Sequence, residues 1–124
     1  MTVDARLLPT GTTPVAGDMD YREARTLAGS DLDDAFVDPT REGDGYSWAR
    51  LTRGDGSTVA IWMDDAAKAW QVCTGNHISP ASAQRSGVAI EPMSCIADAF
   101  RTGDDLVVLE PGASHTLAWG MSLI

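Results

Sequence analysis

The chain has 124 residues, the size of one domain, and its nine Lys and Arg stand against eighteen Asp and Glu, for a formal net charge of −9. Such a field repels phosphate backbones and anionic lipid, which argues against nucleic-acid and membrane-surface partners. Hydrophobic residues make up 44% of the chain and charged ones 22%, a globular rather than a disordered composition. No apolar run approaches the roughly 18 residues of a membrane span. The opening MTVDARLLPTG carries Asp4 and no apolar leader core, so a cytoplasmic location is expected.

In chain order, the first 45 residues read as loop-rich, with PTGTTPVAG early and six acids between Asp31 and Asp44. The acidic stretch DLDDAFVDPTREGD lacks the D-x-[DN]-x-[DN]-G spacing and closing Glu of a calcium loop, so it is read as a solvated acidic loop. Tyr46–Thr52 and Thr58–Met63 are rich in aromatic and β-branched residues and flank RGDGS. This is the pattern of a hairpin with a five-residue, glycine-containing connection. Asp64–Lys68 is expected to form about one helical turn. Ala69–Thr74, Gly87–Met93 and Asp105–Glu110 read as further strands, with a second helical turn at Ile96–Phe100. The last segment alternates best: His115, Leu117, Trp119, Met121 and Leu123 share one face, with Ser114, Thr116, Ala118, Gly120 and Ser122 on the other. Twelve glycines and six prolines punctuate these runs, which fits a single all-β domain over residues 1–124 with antiparallel sandwich architecture.

Most site signatures are absent: no glycine-rich phosphate loop, no G-x-S-x-G elbow, no H-E-x-x-H. Cys73 and Cys95 lie in apolar surroundings and lack the paired Cys/His spacing of a zinc site. No metal site is expected, and an intracellular chain keeps both thiols reduced. His77 follows a turn-like TGN and His115 follows PGAS; both read as solvated or strand-end histidines, the alternative being a general acid at neutral pH. Trp48, Trp62, Trp70 and Trp119 all fall in predicted strands and read as core rather than as sugar-stacking surfaces. Glu91 is the most informative residue. On a Gly87–Met93 strand it shares a face with Gly87 and Ala89, leaving space above the carboxylate, and partial desolvation there raises a Glu towards general-base range. The plainer reading is a Glu on an exposed strand face. Pro92 removes a ladder donor, so the strand is expected to end or bulge there.

Taken together, LPTGTTPVAGDMDYRE, LDDAF, AWQVCTGN, VAIEPMSCIADAF and LVVLEPGASHTLAWG resemble, in order, the C-terminal half of aldose 1-epimerases (galactose mutarotases). The resemblance runs from about Leu7 to Gly120. It implies part of a large antiparallel supersandwich and the interconversion of the α and β anomers of free aldoses. In such enzymes a carboxylate takes the proton of the C1 hydroxyl while an acid protonates the ring oxygen, and the ring opens, turns about C1–C2 and recloses. The resemblance puts that base at Glu91, in the I-E-P motif. It puts a substrate-binding carboxylate at Asp33, in a D-x-x-F motif completed by Asp34, Ala35 and Phe36. The family's acid histidine, a second sugar-binding histidine and an arginine belong to N-terminal motifs that do not occur in this chain. His77 lies where the family uses no catalytic group.

The resemblance implies a monosaccharide (aldohexose) substrate, no cofactor, and a partner in the form of a separate N-terminal half or a second copy of the chain. Alongside the isomerase stand two other readings: a truncated, non-catalytic carbohydrate-binding fragment that keeps Asp33 and Glu91, and an acidic β interaction module.

Overall fold

In a computed structural model describing residues 1–124, the chain is nearly all β, and every strand pairing is antiparallel. A two-stranded ribbon of β1 (Thr2–Val3) and β2 (Pro9–Gly11) precedes two three-stranded sheets. One sheet has the order β3 (Asp33–Val37), β6 (Ala69–Cys73), β7 (Ala89–Met93). The other has the order β4 (Ser47–Thr52), β5 (Thr58–Met63), β8 (Trp119–Leu123). The one α-helical turn, α1, spans Ala99–Thr102.

The hairpin expected around RGDGS forms with Trp48 opposite Trp62 and Thr52 opposite Thr58. Its connection closes through Arg53 N–H to Ser57 C=O at 2.9 Å and Gly56 N–H to Arg53 C=O at 3.0 Å. Gly56 sits at φ +88°, the left-handed region that an L side chain resists. Asp55 finishes the turn by accepting from the Ser57 amide and hydroxyl.

The register sorts side chains into faces, because residues opposite one another in a ladder project the same way. Phe36, Trp70 and Val72 with Ile90 face inward from the first sheet. Ala49, Ile61 and Met63 face inward from the second. These side chains meet around Met63, Ala67 and Trp70, with Leu117 packed alongside. The sheets are tied by a buried hydrogen bond from Trp70 Nε1 to Ser47 Oγ at 3.0 Å. Tyr21 brings the loop before β3 onto the same core through an edge-on contact with Phe36. Only 11 of 124 residues are buried, so the sandwich leans heavily on specific polar locks as well as apolar area.

Two such locks brace the approaches to β6. Arg41 donates to the carbonyls of Met63, Asp64 and Ala67, capping the end of β5 and the turn after it. Thr74, buried immediately after β6, donates its amide to Leu32 C=O at 2.9 Å, and its hydroxyl accepts the Leu32 amide at 2.9 Å. That clamp extends the β3–β6 pairing past Asp33 and Cys73. In the second sheet, Asp64 carries the chain across to β8 by accepting the Ala118 amide at 2.8 Å.

Several expectations are corrected. Asp33–Val37, assigned to an acidic loop, is a strand, because pairing with central β6 outweighs the poor strand propensity of Asp. Asp105–Glu110 forms no strand. It has no ladder partner, and Val107, Val108 and Leu109 are exposed; alternation without a neighbouring backbone does not make a sheet. The final strand is shorter than its pattern, with pairing confined to Trp119–Leu123 and His115 outside it. Asp64–Lys68 is a turn rather than a helix, and the second helical turn falls at Ala99–Thr102 rather than Ile96–Phe100. Strand β7 runs through Pro92 to Met93 opposite Trp70 and Ala69. Because β7 is an edge strand, a residue without an N–H is tolerated there.

All four tryptophans do lie in strands, but only Trp70 is core. Trp48 and Trp62 face outward on the second sheet, where Arg50 lies over Trp48 and Tyr46 packs against Trp62. Trp119 is 52% exposed. With Met121 and Leu123 it extends the inward face of the second sheet along edge strand β8, yet these side chains remain open to solvent.

A Cβ on Gly120 would stand 2.7–2.9 Å from the Trp62 indole. Gly120→Ala is therefore expected to destabilise the fold by about 1–3 kcal/mol through overpacking, read as a fall in thermal midpoint of several degrees. Thr74→Val keeps the shape but leaves the Leu32 amide unsatisfied. Its expected loss is about 1–3 kcal/mol, measurable by denaturant unfolding.

Candidate functional site

The strand period of two that sends Trp70 and Val72 inward sends Gln71 and Cys73 to the opposite face of the first sheet. Register adds Asp33 and Ala35 from β3 and Ala89 and Glu91 from β7 to that face. Asp33 is directly opposite Cys73, and Gln71 is directly opposite both Ala35 and Glu91. The two carboxylates expected to matter, Asp33 and Glu91, thus share one sheet face with Gln71 between them.

Gln71 was not singled out in the sequence, and it is the residue that joins the row. Its Nε2 donates to Asp33 Oδ1 at 2.8 Å. This orients the Asp33 carboxylate and leaves its second oxygen without a hydrogen bond. Glu91 lies across the ladder from Gln71, at a pair spacing of about 4.5–5.5 Å between Cβ atoms. The signal for Gln71 was available in principle: a polar residue alternating with Trp70 and Val72 marks the side of β6 that does not enter the core. Glu91 and Asp33 are both exposed. The desolvated carboxylate expected at Glu91 is therefore not present within these residues. Its small neighbour Ala89 is exposed as well.

A cleft of about 370 Å³ adjoins the row, with Asp33, Ala35 and Gln71 on one side and Met1, Leu7 and Met93 among the apolar residues around it. That volume is at the low end of small-molecule sites, about 300–1,000 Å³. The N-terminal ribbon is held there by the Met1 amino group, which donates to Ala35 C=O at 3.0 Å. Glu91 is not among the cleft's lining residues.

His77 is exposed in the turn after β6, as its TGN context suggested. It is not isolated, however. Ligand-type atoms of Asp33, Cys73 and His77 lie within 4.8 Å of one another. The turn carrying His77 is braced by Arg85, whose guanidinium donates to Asn76 Oδ1 and Leu27 C=O, each at 2.8 Å, and also to Ser30 C=O. Asn76 in turn accepts from the Thr74 hydroxyl at 2.8 Å. His115 is exposed on a segment outside the strands and joins no such group. Cys73 and Cys95 are both free thiols.

The strongest carboxyl perturbations lie away from this face. Asp20 is held down at about 2, first by its hydrogen bond from the Arg22 side chain. Asp44 is lowered by the Tyr46 amide and the Trp48 indole. Both are surface capping arrangements. No helix is long and apolar enough to cross a membrane.

Comparison with known proteins bears on what this face belongs to. The family model described as aldose 1-epimerase matches residues 1–122. An Escherichia coli (strain K12) protein, "Uncharacterized protein YihR", is 31% identical over 101 residues, covering 81% of this chain and 29% of the relative. The chain thus spans less than a third of the length of that curated relative. No solved structure gives a significant match. With the family model reaching over nearly the whole chain, and with an antiparallel β architecture carrying the paired carboxylates on one face, this chain belongs to the aldose 1-epimerase family.

Proposed function

We propose that this chain provides the base-bearing part of an enzyme that interconverts the α and β anomers of a free aldohexose of the glucose or galactose type. The observation that carries the reading is the row Asp33–Gln71–Glu91 on one open sheet face, in a chain matched to the aldose 1-epimerase family. In this reading Glu91 takes the proton of the C1 hydroxyl. As the electrons of that O–H bond form the C1 carbonyl, the C1–ring oxygen bond breaks and the ring oxygen takes a proton from an acid. The open-chain aldehyde turns about C1–C2, and the reverse steps close the ring on the other face. Asp33, oriented by Gln71, accepts hydrogen bonds from sugar hydroxyls, and the adjoining cleft receives the less polar face of the ring. The chemistry needs only proton transfer, so no cofactor enters the scheme.

The acid comes from outside these 124 residues. The motif-matched positions of the chain include the base and the binding carboxylate but not the acid histidine. His77 is grouped with Asp33 and Cys73 rather than with Glu91. A paired general acid contributes about 10²–10⁴-fold, so the chain by itself is a slow catalyst at best. The exposure of Glu91 points the same way, since closure by further protein would desolvate it and make it a stronger base. That covering protein carries the family's N-terminal motifs, with a separate N-terminal half or a second copy of the chain as the candidate partners. A non-catalytic sugar-binding role for the isolated chain follows from the same geometry if no such partner is engaged.

Polarimetry of fresh α-galactose or α-glucose tests the reading, with imidazole buffer as a diffusible substitute acid. The chain is expected to accelerate anomer equilibration, and Glu91→Gln to return the rate to that of buffer and protein-free controls. Equal rates for the two proteins would rule out Glu91 as the base. Aldose-induced shifts in protein NMR spectra that survive in Glu91→Gln but vanish in Asp33→Asn, without rate acceleration by either form, would instead establish binding without catalysis.

A further inference from the structure

The cluster of Asp33, Cys73 and His77 is not used by the epimerase scheme, apart from the first residue. We propose that these three side chains form a binding site for a thiophilic divalent cation, with zinc as its natural occupant by ligand chemistry. Their ligand atoms lie within 4.8 Å of one another. Around a tetrahedral zinc ion with bonds of roughly 2.0–2.3 Å, such atoms stand roughly 3.3–3.8 Å apart. Closing that difference takes movements of about 1 Å, within the reach of side-chain rotation on an unmoved backbone.

The scaffold is built to hold that geometry. Asp33 and Cys73 are direct cross-strand partners on one face of β3 and β6, and the Thr74–Leu32 clamp fixes the ladder one residue further on. His77 stands four residues after Cys73 in a turn closed by Ile78 N–H to Gly75 C=O at 3.3 Å and tied down by Arg85 through Asn76. Two ligands therefore come from a sheet and the third from a braced turn, which limits the ordering that binding must impose. The spacing missed this site because a zinc motif read along the chain needs paired Cys and His positions, whereas here Asp33 arrives across the ladder.

The surroundings also suit a cation. Gln71 occupies Asp33 Oδ1 at 2.8 Å, the outer-sphere orientation that metal-ligating carboxylates commonly have, and leaves the other oxygen for the ion. The Gly75 amide donates to Cys73 Sγ at 3.4 Å, a contact that ties the sulfur to the start of the turn carrying His77. One thiolate, one imidazole and one carboxylate form a mixed soft and borderline set, suited to zinc and poorly suited to magnesium or calcium, which prefer oxygen ligands. With Asp33 and His77 exposed, a fourth position faces solvent. An ion there would also engage the carboxylate assigned to the sugar; that consequence, unlike the binding itself, rests on the epimerase reading.

Isothermal titration of the metal-free, reduced chain with zinc chloride, paired with cobalt(II) absorption spectroscopy, tests the proposal. One equivalent of zinc is expected to bind, and cobalt to give a sulfur-to-metal charge-transfer band that zinc abolishes. Cys73→Ser should remove the band. His77→Gln should weaken zinc binding by at least tenfold, a loss that disturbing even outer-sphere partners can cause. Cys95→Ser and Glu91→Gln should bind as the parent does, with circular dichroism confirming that each variant is folded. Binding that is undiminished in both Cys73→Ser and His77→Gln, a band that follows Cys95, or no stoichiometric binding by the parent would overturn the site. None of these results depends on sugar turnover, so this proposal and the epimerase reading can fail separately.

Discussion

Central strand β6 does two jobs with adjacent residues, and the rest of the molecule is arranged around that fact. Trp70 enters the core, where it packs with Met63 and Ala67 and hydrogen-bonds to Ser47 of the other sheet. Gln71, one residue on, emerges on the opposite face and orients Asp33. A strand repeats every two residues, so anchoring Trp70 between the sheets dictates which side chains β6 offers outward. A one-residue slip of β6 would bury Gln71 and Cys73 and expose Trp70. The buried indole is thus what keeps the candidate site in register.

That dependence matters more because the core is small. With few fully buried residues, apolar area alone leaves little margin, and the polar locks carry a correspondingly larger share of the structural definition. Thr74 and Leu32 align β3 against β6. Arg85 pins the turn with His77 to the loop before β3. Arg41 seals the turn between β5 and β6 by taking three backbone carbonyls. Each ties backbone groups of one segment to a side chain of another. The open stretch of Trp119, Met121 and Leu123 is the other side of this economy: its inward-facing pattern is intact, but nothing within the chain lies over it.

The hairpin from Ser47 to Met63 was legible because turn chemistry and alternation are both local, and its glycine lands where the backbone needs positive φ. The open-face position of Glu91 was legible from period two and the small neighbours of its strand. The strand at Asp33–Val37 was not, because local composition says loop and only a partner strand says otherwise. Asp105–Glu110 misled in the opposite direction, with good alternation and no partner. Gln71 was overlooked since a lone amide carries no motif; its meaning appears only when β3 delivers Asp33 beside it.

The sequence by itself determined an acidic, antiparallel β chain, the aldose 1-epimerase resemblance and the two carboxylates that the resemblance singles out. These depend on composition, on residue spacing within a strand and on short motifs, all of which are written along the chain. Tertiary structure alone decided which residues stand side by side: Gln71 between Asp33 and Glu91, and His77 and Cys73 against Asp33. It also decided that Trp70 is core while Trp119 is not. The reason is that ladder pairing joins residues some forty positions apart, and no local pattern encodes which strand will be the neighbour.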